Sequence, residues 1–192
     1  MLFWFARFII LVASKFVYRI KVSGTENIPE EGPFILCCNH IHSYDPAMLA
    51  ISIKRQLRFM AKKELFEWKI KGAFFRGVGA FPVDRGTADL TSYRMAMKEL
   101  ASGMGLLIFS QGTRMQKLDI KGAKGGVALF GVKSKAPIIP AGISGNYRLF
   151  STLNIRFGKA ITLEEYYGER LKTEQIDKIM ARVMSEVEKL VV

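Results

Sequence analysis

Apolar residues crowd the first nineteen positions, from Met1 to Arg19, and beyond them the chain breaks into short apolar runs separated by turn residues. At 100° per residue, Arg7, Ser14, Lys15 and Arg19 fall within an arc of roughly 140°, which leaves the wider face of an N-terminal helix to aromatic and aliphatic side chains. Further along, extended runs are predicted at about 18–22, 33–39, 57–61, 80–83, 105–109, 136–143 and 154–157, and helices at about 46–53, 63–76, 87–102, 124–134 and 173–190. Leu90, Tyr93, Met97 and Leu100 form one helical stripe, and Ile176, Ile179, Met180, Val183, Val187 and Leu190 form another; both predict a face turned to a core. The alternation predicts an α/β fold, a mixed, largely parallel sheet covered by helices on both faces, with an N-terminal amphipathic membrane-interface helix. The boundary is placed between residues 1–19 and a single domain, 20–192, that includes the C-terminal helix. No internal repeat, low-complexity tract or long linker divides the chain further.

Composition narrows the class. With 192 residues and 49% hydrophobic content the chain can bury a proper core, which excludes disorder. Cys37 and Cys38 are the only cysteines, and neighbours in an extended run point to opposite faces, so a disulfide between them is not expected and a reducing compartment is. The net charge is +12, and residues 1–159 hold 24 Lys and Arg against 10 Asp and Glu. A field of that sign attracts nucleic acid or an anionic membrane surface.

The N-terminal segment favours the membrane. It is too apolar for an RNA-binding arm, and its apolar stretch is broken at Arg7 and closed by Lys15, short of the roughly 20 residues a spanning helix needs. A cleaved signal would need a basic region before the apolar run and small residues after it. A helix lying in the interface, its basic stripe towards lipid phosphates, fits best; a terminal helix packed on the protein's own core is the alternative. The stretch from Lys62 to Arg76 mixes lysines with Phe66, Trp68, Phe74 and Phe75, which suits an interfacial helix as well as it suits base stacking.

Acid–base chemistry is concentrated in one place. The only two histidines, His40 and His42, follow the run Phe34-Ile35-Leu36-Cys37-Cys38, with Asp45-Pro46 just beyond. A strand ending near His40, a short loop and a helix opening at Asp45 would bring imidazole and carboxylate to one rim. The carboxylate could then orient the ring and stabilise the imidazolium formed when the other nitrogen takes a proton. No protein nucleophile is required if the base activates a hydroxyl on a substrate. The competing readings are an ordinary helix cap at Asp45 and a metal site of Cys38, His40 and His42 on one strand face. That spacing matches no familiar zinc pattern, and no metal or other cofactor is expected; His42 by itself reads as a solvated loop residue.

Two segments further on suit an anion. Phe81-Pro82-Val83-Asp84-Arg85 leaves an arginine past one strand, and Phe109-Ser110-Gln111-Gly112-Thr113-Arg114 places Gly, Thr and Arg past another. Strand ends of open α/β sheets are where ligands sit, and arginine binds phosphate through paired charge-assisted hydrogen bonds. A surface ion pair of Arg85 with Asp84 is the plainer alternative.

Taken in order, Asn39-His40-x4-Asp45, Phe81 to Arg85, Phe109 to Arg114 and Pro137-Ile138-Ile139-Pro140 resemble the four conserved blocks of the glycerolipid acyltransferases, over residues 20–161 or so. Within that family the chain is most similar to the bacterial branch acting on 1-acyl-sn-glycerol 3-phosphate. The resemblance implies that residues 20–192 form an acyltransferase catalytic domain. It also implies transfer of a fatty acyl group from acyl carrier protein or a CoA thioester to the free hydroxyl of lysophosphatidic acid, giving phosphatidic acid. His40 would be the general base oriented by Asp45. Arg85, Gln111, Gly112, Thr113 and Arg114 would bind the glycerol phosphate, and Pro140 would shape the pocket. The implied location is the cytoplasmic face of the cell membrane, peripheral or monotopic, with no nucleic-acid partner. One position departs from the pattern: Gln111 stands where the family usually has Glu, keeping an acceptor but losing a charge. That departure keeps another lysolipid acceptor in play, beside a thioesterase and a non-catalytic anionic-lipid-binding protein.

Overall fold

The computed structural model describes residues 2–84, 90–109 and 125–191. Its strands are β1 (Arg19–Ser23), β2 (Phe34–Cys38), β3 (Leu57–Lys62), β4 (Ala80–Val83), β5 (Gly105–Phe109), β6 (Ile138–Gly145) and β7 (Thr152–Phe157). They form one sheet in the order β1-β7-β6-β2-β5-β3-β4, in which only the β6–β7 pair is antiparallel. The exception follows from chain length, because β6 and β7 are joined by the short connection 146–151, whereas parallel neighbours need a crossover. Gly145 opens that turn at a φ of 110°, where a Cβ would also overlap the Thr152 carbonyl.

β2 lies in the middle of the sheet and is buried along its whole length, as an unbroken Phe-Ile-Leu-Cys-Cys run requires. Phe34, Leu36 and Cys38 point to one face, with Met48, Leu49 and Ile51 of α2 (Asp45–Ser52). Ile35 and Cys37 point to the other, with α4 (Leu90–Ala101), α5 (Gly126–Ser134) and α6 (Thr173–Val191). The α6 stripe is buried as its spacing predicts, at Ile179, Met180, Val183 and Val187. On α4 three of the four stripe residues meet the core, Leu100 fully buried and Tyr93 and Met97 packed against it, with Ala96 and Ser92 buried beside them; Leu90, 66% exposed, is the exception.

The helix predicted at 63–76 is two elements. A 3₁₀ turn at Lys63–Phe66 is followed by α3 (Lys69–Gly77), with Trp68 extended between them at φ −83° and ψ 124°. The chain folds back there because Gly72 carries no side chain: a Cβ would stand 2.7 Å from the Phe66 carbonyl oxygen.

α1 (Leu2–Val17) packs on α2, and two residues of its polar arc, Arg7 and Ser14, face inward, while Lys15 and Arg19 are exposed. The Arg7 guanidinium donates to the carbonyls of Ala50 at 3.0 Å, Ile51 at 3.1 Å and Ile53 at 2.9 Å. Ser14 is buried, its hydroxyl bonded to the Leu11 carbonyl. The expectation that the whole polar stripe meets lipid phosphates is therefore corrected. The last carbonyls of α2 have no partner within their own helix, and a cation at that negative end is the natural one. The side of α1 turned to solvent carries Trp4, Phe5, Phe8, Ile9, Val12 and Phe16, the last 74% exposed. Nearby apolar side chains on and before α3 are also exposed, notably Trp68 and Ile70.

Candidate active site

β2 stops at Cys38, and from there side chains continue what the backbone ladder began. Asn39 is buried, and its amide donates to the Ile143 carbonyl at 2.9 Å while its Oδ1 accepts the Ile143 N–H at 2.8 Å. The pair replaces one rung of the β2–β6 ladder and pins the start of the His40 loop to β6. Because the strand ends here, Cys38, His40 and His42 do not share a strand face, and among the described residues no group of His, Cys, Asp and Glu could hold a metal.

The loop closes on Asp45, which is fully buried. Its Oδ2 accepts from His40 Nδ1 at 2.7 Å, from the Ile41 N–H at 2.7 Å and from the His42 N–H at 2.8 Å. Its Oδ1 accepts from the Tyr147 hydroxyl at 2.6 Å. The carboxylate thus ties together the chain that precedes it and makes no cap bond to its own helix, as a simple capping role would require. Four hydrogen bonds offset the cost of burying the charge, which also lies in the first turn of α2, where the helix field favours an anion.

His40 is 12% exposed at its side chain and stacks on Phe109, the last residue of β5, with ring centroids 4.0 Å apart and planes 18° apart. A carboxylate can only accept, so Nδ1 carries the ring proton and Nε2 is left as the acceptor. The ring is held on two sides, by a hydrogen bond in its plane and an aromatic face beneath it. His42 is no freely solvated residue: its ring stacks on Tyr147 at 4.3 Å and meets the edge of Tyr44. Burial, and then the Asp45 charge, push the Cys38 thiol well above its ordinary range, so it is an inert core thiol rather than a nucleophile. The same two causes hold the Tyr147 phenol protonated far above its usual range.

Of the other residues singled out in the sequence, Arg85, Gln111, Gly112, Thr113 and Arg114 lie outside the described residues. The strands that lead to them are in place. β5 ends against the His40 ring, and β4 runs parallel two strands further along the same sheet. Pro140 is buried inside β6, opposite Cys37 of β2, in the sheet and not on its rim. Sequence reasoning missed Tyr147 and gave Asn39 and Phe109 no role. Phe109 was visible as the end of an apolar run; nothing local marks Tyr147, 102 residues from its partner Asp45.

Beside the His40 loop lies an apolar cavity of about 170 Å³. Ser43 and Pro46 line it together with Phe3 and Ile10 of α1, Phe59 of β3 and Phe74 of α3. A dry cavity of about 150 Å³ holds a benzene molecule, so this one has room for a stretch of hydrocarbon of about six carbons.

A largely parallel sheet presents an oriented imidazole at the end of its central strand, an arrangement suited to general-base chemistry. The chain belongs to the Acyltransferase family, whose model matches residues 19–144. It is 36% identical over 127 residues to a 1-acyl-sn-glycerol-3-phosphate acyltransferase of Bacillus subtilis, covering 66% of this chain and 63% of that protein. It is 30% identical over 175 residues to the enzyme of the same name from Streptococcus pneumoniae, covering 87% and 64%. The chain thus spans just under two thirds of the length of each. The crystal structure of the 1-acyl-sn-glycerophosphate (LPA) acyltransferase from Thermotoga maritima superposes with a TM-score of 0.72 at 21% identity, over 98% of this chain and 79% of that one, which shows a shared fold. The family read from the four sequence blocks is borne out.

Proposed function

We propose that the chain transfers a fatty acyl group from a thioester of acyl carrier protein or CoA to the free hydroxyl of 1-acyl-sn-glycerol 3-phosphate, giving phosphatidic acid. The observation that carries this reading is the 2.7 Å bond between His40 Nδ1 and Asp45, which leaves Nε2 as the base. Nε2 takes the hydroxyl proton as the oxygen attacks the thioester carbonyl. The tetrahedral adduct collapses, the carbon–sulfur bond breaks, and the imidazolium returns the proton to the leaving thiolate. Asp45 stabilises the imidazolium through the intervening steps. Arg85, Gln111, Gly112, Thr113 and Arg114 receive the phosphate on the strength of their places in the sequence blocks, and the cavity beside Ser43 accepts part of an acyl chain. Pro140 serves the pocket from within the sheet.

Membrane placement fits this chemistry, since substrate and product carry acyl chains worth about 0.8 kcal/mol per buried CH₂. Among the described residues no helix is long and apolar enough to cross a membrane. The exposed aromatic face of α1 supports a peripheral anchor, segment 1–19, on the cytoplasmic face of the cell membrane, with the domain 20–192 catalytic. The net charge of +12 suits an anionic lipid surface and an acidic carrier protein. Gln111 favours a second reading, transfer to another lysolipid. The test is acyl transfer from palmitoyl and oleoyl thioesters to lysophosphatidic acid in mixed micelles, for the wild type and His40→Ala. Wild-type turnover that falls by about 10²- to 10⁴-fold in the variant supports the reaction and its base together. A folded wild type that acylates another lysolipid in place of lysophosphatidic acid selects the second reading.

A further inference from the structure

We propose that Tyr147 is a positioning residue for the His40–Asp45 pair, its hydroxyl fixing the rotation of the Asp45 carboxylate and sharing its charge. The phenol donates to Asp45 Oδ1 at 2.6 Å, on the side of the carboxylate away from the three donors that hold Oδ2. A carboxylate held at one oxygen can still turn about its Cβ–Cγ bond; held at both, it cannot, and the His40 ring inherits that orientation. The phenol is itself clamped. Its ring stacks on His42 with centroids 4.3 Å apart and planes 22° apart, and Tyr18 meets it edge-on at 5.6 Å. His42 is the residue whose backbone N–H holds Oδ2, so the two hydrogen bonds and the ring stack close a circuit around the carboxylate.

The arrangement gives β6 and the turn after it a second hold on the site. Ile143 of β6 pins Asn39, just before His40, and Tyr147, two residues past the end of β6, pins Asp45. Both ends of the His40 to Asp45 loop are thereby set by one strand and its turn, an arrangement that pre-orients a base before substrate arrives. The role in catalysis rests on the acyl-transfer reading above; the geometry does not.

The test replaces the hydroxyl alone. Tyr147→Phe keeps the ring and its stacking on His42. Among the described residues, the titratable groups around Asp45 and Tyr147 are His40, His42 and Tyr44 in and beside the loop, Cys38 at the end of β2, and Tyr18 ahead of β1. With one donor lost, the carboxylate is held at Oδ2 alone and turns about its Cβ–Cγ bond, so the proton between His40 Nδ1 and Asp45, followed by NMR of labelled imidazole, gives a resonance that broadens and shifts. In the same protein kcat for acyl transfer falls by about tenfold while both KM values stay within about twofold. A merely structural phenol would move thermal stability and leave the His40 Nδ1 proton resonance where it is; an unchanged resonance in a folded Tyr147→Phe protein overturns the proposal. The wild type supplies a check that needs no variant: the Tyr147 hydroxyl proton is protected from solvent exchange, and free exchange would overturn the assignment. A wild type that shows the protected proton and the shift on substitution, yet transfers no acyl group, refutes the acyl-transfer reading and leaves the positioning geometry standing.

Discussion

Asp45→Asn tests how much of the chemistry depends on charge and how much on shape. The side chain is fully buried and takes four hydrogen bonds, three of them at Oδ2. Asparagine fits the same space if its carbonyl faces Ile41 N–H, His42 N–H and His40 Nδ1, and its amide donates to Tyr147, whose hydroxyl rotates to accept. Every hydrogen bond then survives as a neutral one. Bonds to charged groups contribute about 1.5–3 kcal/mol and neutral ones about 0.5–1.5, so each donor loses about 1 kcal/mol, while the cost of burying a charge disappears. The net expectation is a destabilisation of about 1–3 kcal/mol, read from urea denaturation. Activity responds differently, because the neutral amide cannot stabilise an imidazolium: kcat falls by about 10²- to 10⁴-fold, followed as thiol release from an acyl-CoA in micelles. Asp45→Ala leaves three donors at Oδ2 and the Tyr147 phenol without their acceptor and costs more stability, about 3–5 kcal/mol. An Asp45→Asn enzyme that folds and turns over within threefold of the wild type would refute the electrostatic role, leaving Asp45 as a loop staple alone.

Two further outcomes follow from the N-terminal helix. Arg7→Ala removes three guanidinium bonds to the end of α2, so it should lower stability by about 2–3 kcal/mol and make α1 an early site of proteolytic cleavage; a melting temperature and cleavage pattern equal to wild type would mean α1 is held by apolar packing alone. Replacing the exposed Trp4, Phe5 and Phe8 by serine should abolish co-sedimentation with anionic vesicles and leave kcat on micellar substrate within about twofold, since none of the three lines the cavity beside the His40 loop; sedimentation unchanged at matched salt would remove the interfacial role of α1.

Much of the molecule is determined by local pattern. The unbroken apolar run Phe34 to Cys38 specifies a strand covered on both faces, and the 3.6-residue stripe from Ile179 to Val187 specifies which side of α6 is buried, because both depend only on side-chain period and burial of apolar area. The His40 to Asp45 pair was equally legible, since a loop of four residues leaves few ways to arrange its ends. Other features needed the assembled fold. Whether Arg7 met lipid or protein depended on the uncovered carbonyls of α2, which lie 43 to 46 residues away in the chain. The break after Phe66 depended on a carbonyl that can approach only a glycine at position 72. Asn39 meets Ile143 and Asp45 meets Tyr147 across more than 100 residues, and only because β6 lies beside β2 in the sheet. Period and propensity act within a turn or a strand, so they specify the elements and their apolar faces; the partner of a buried polar group depends on which strand lies next to which, and that is settled only when the sheet closes.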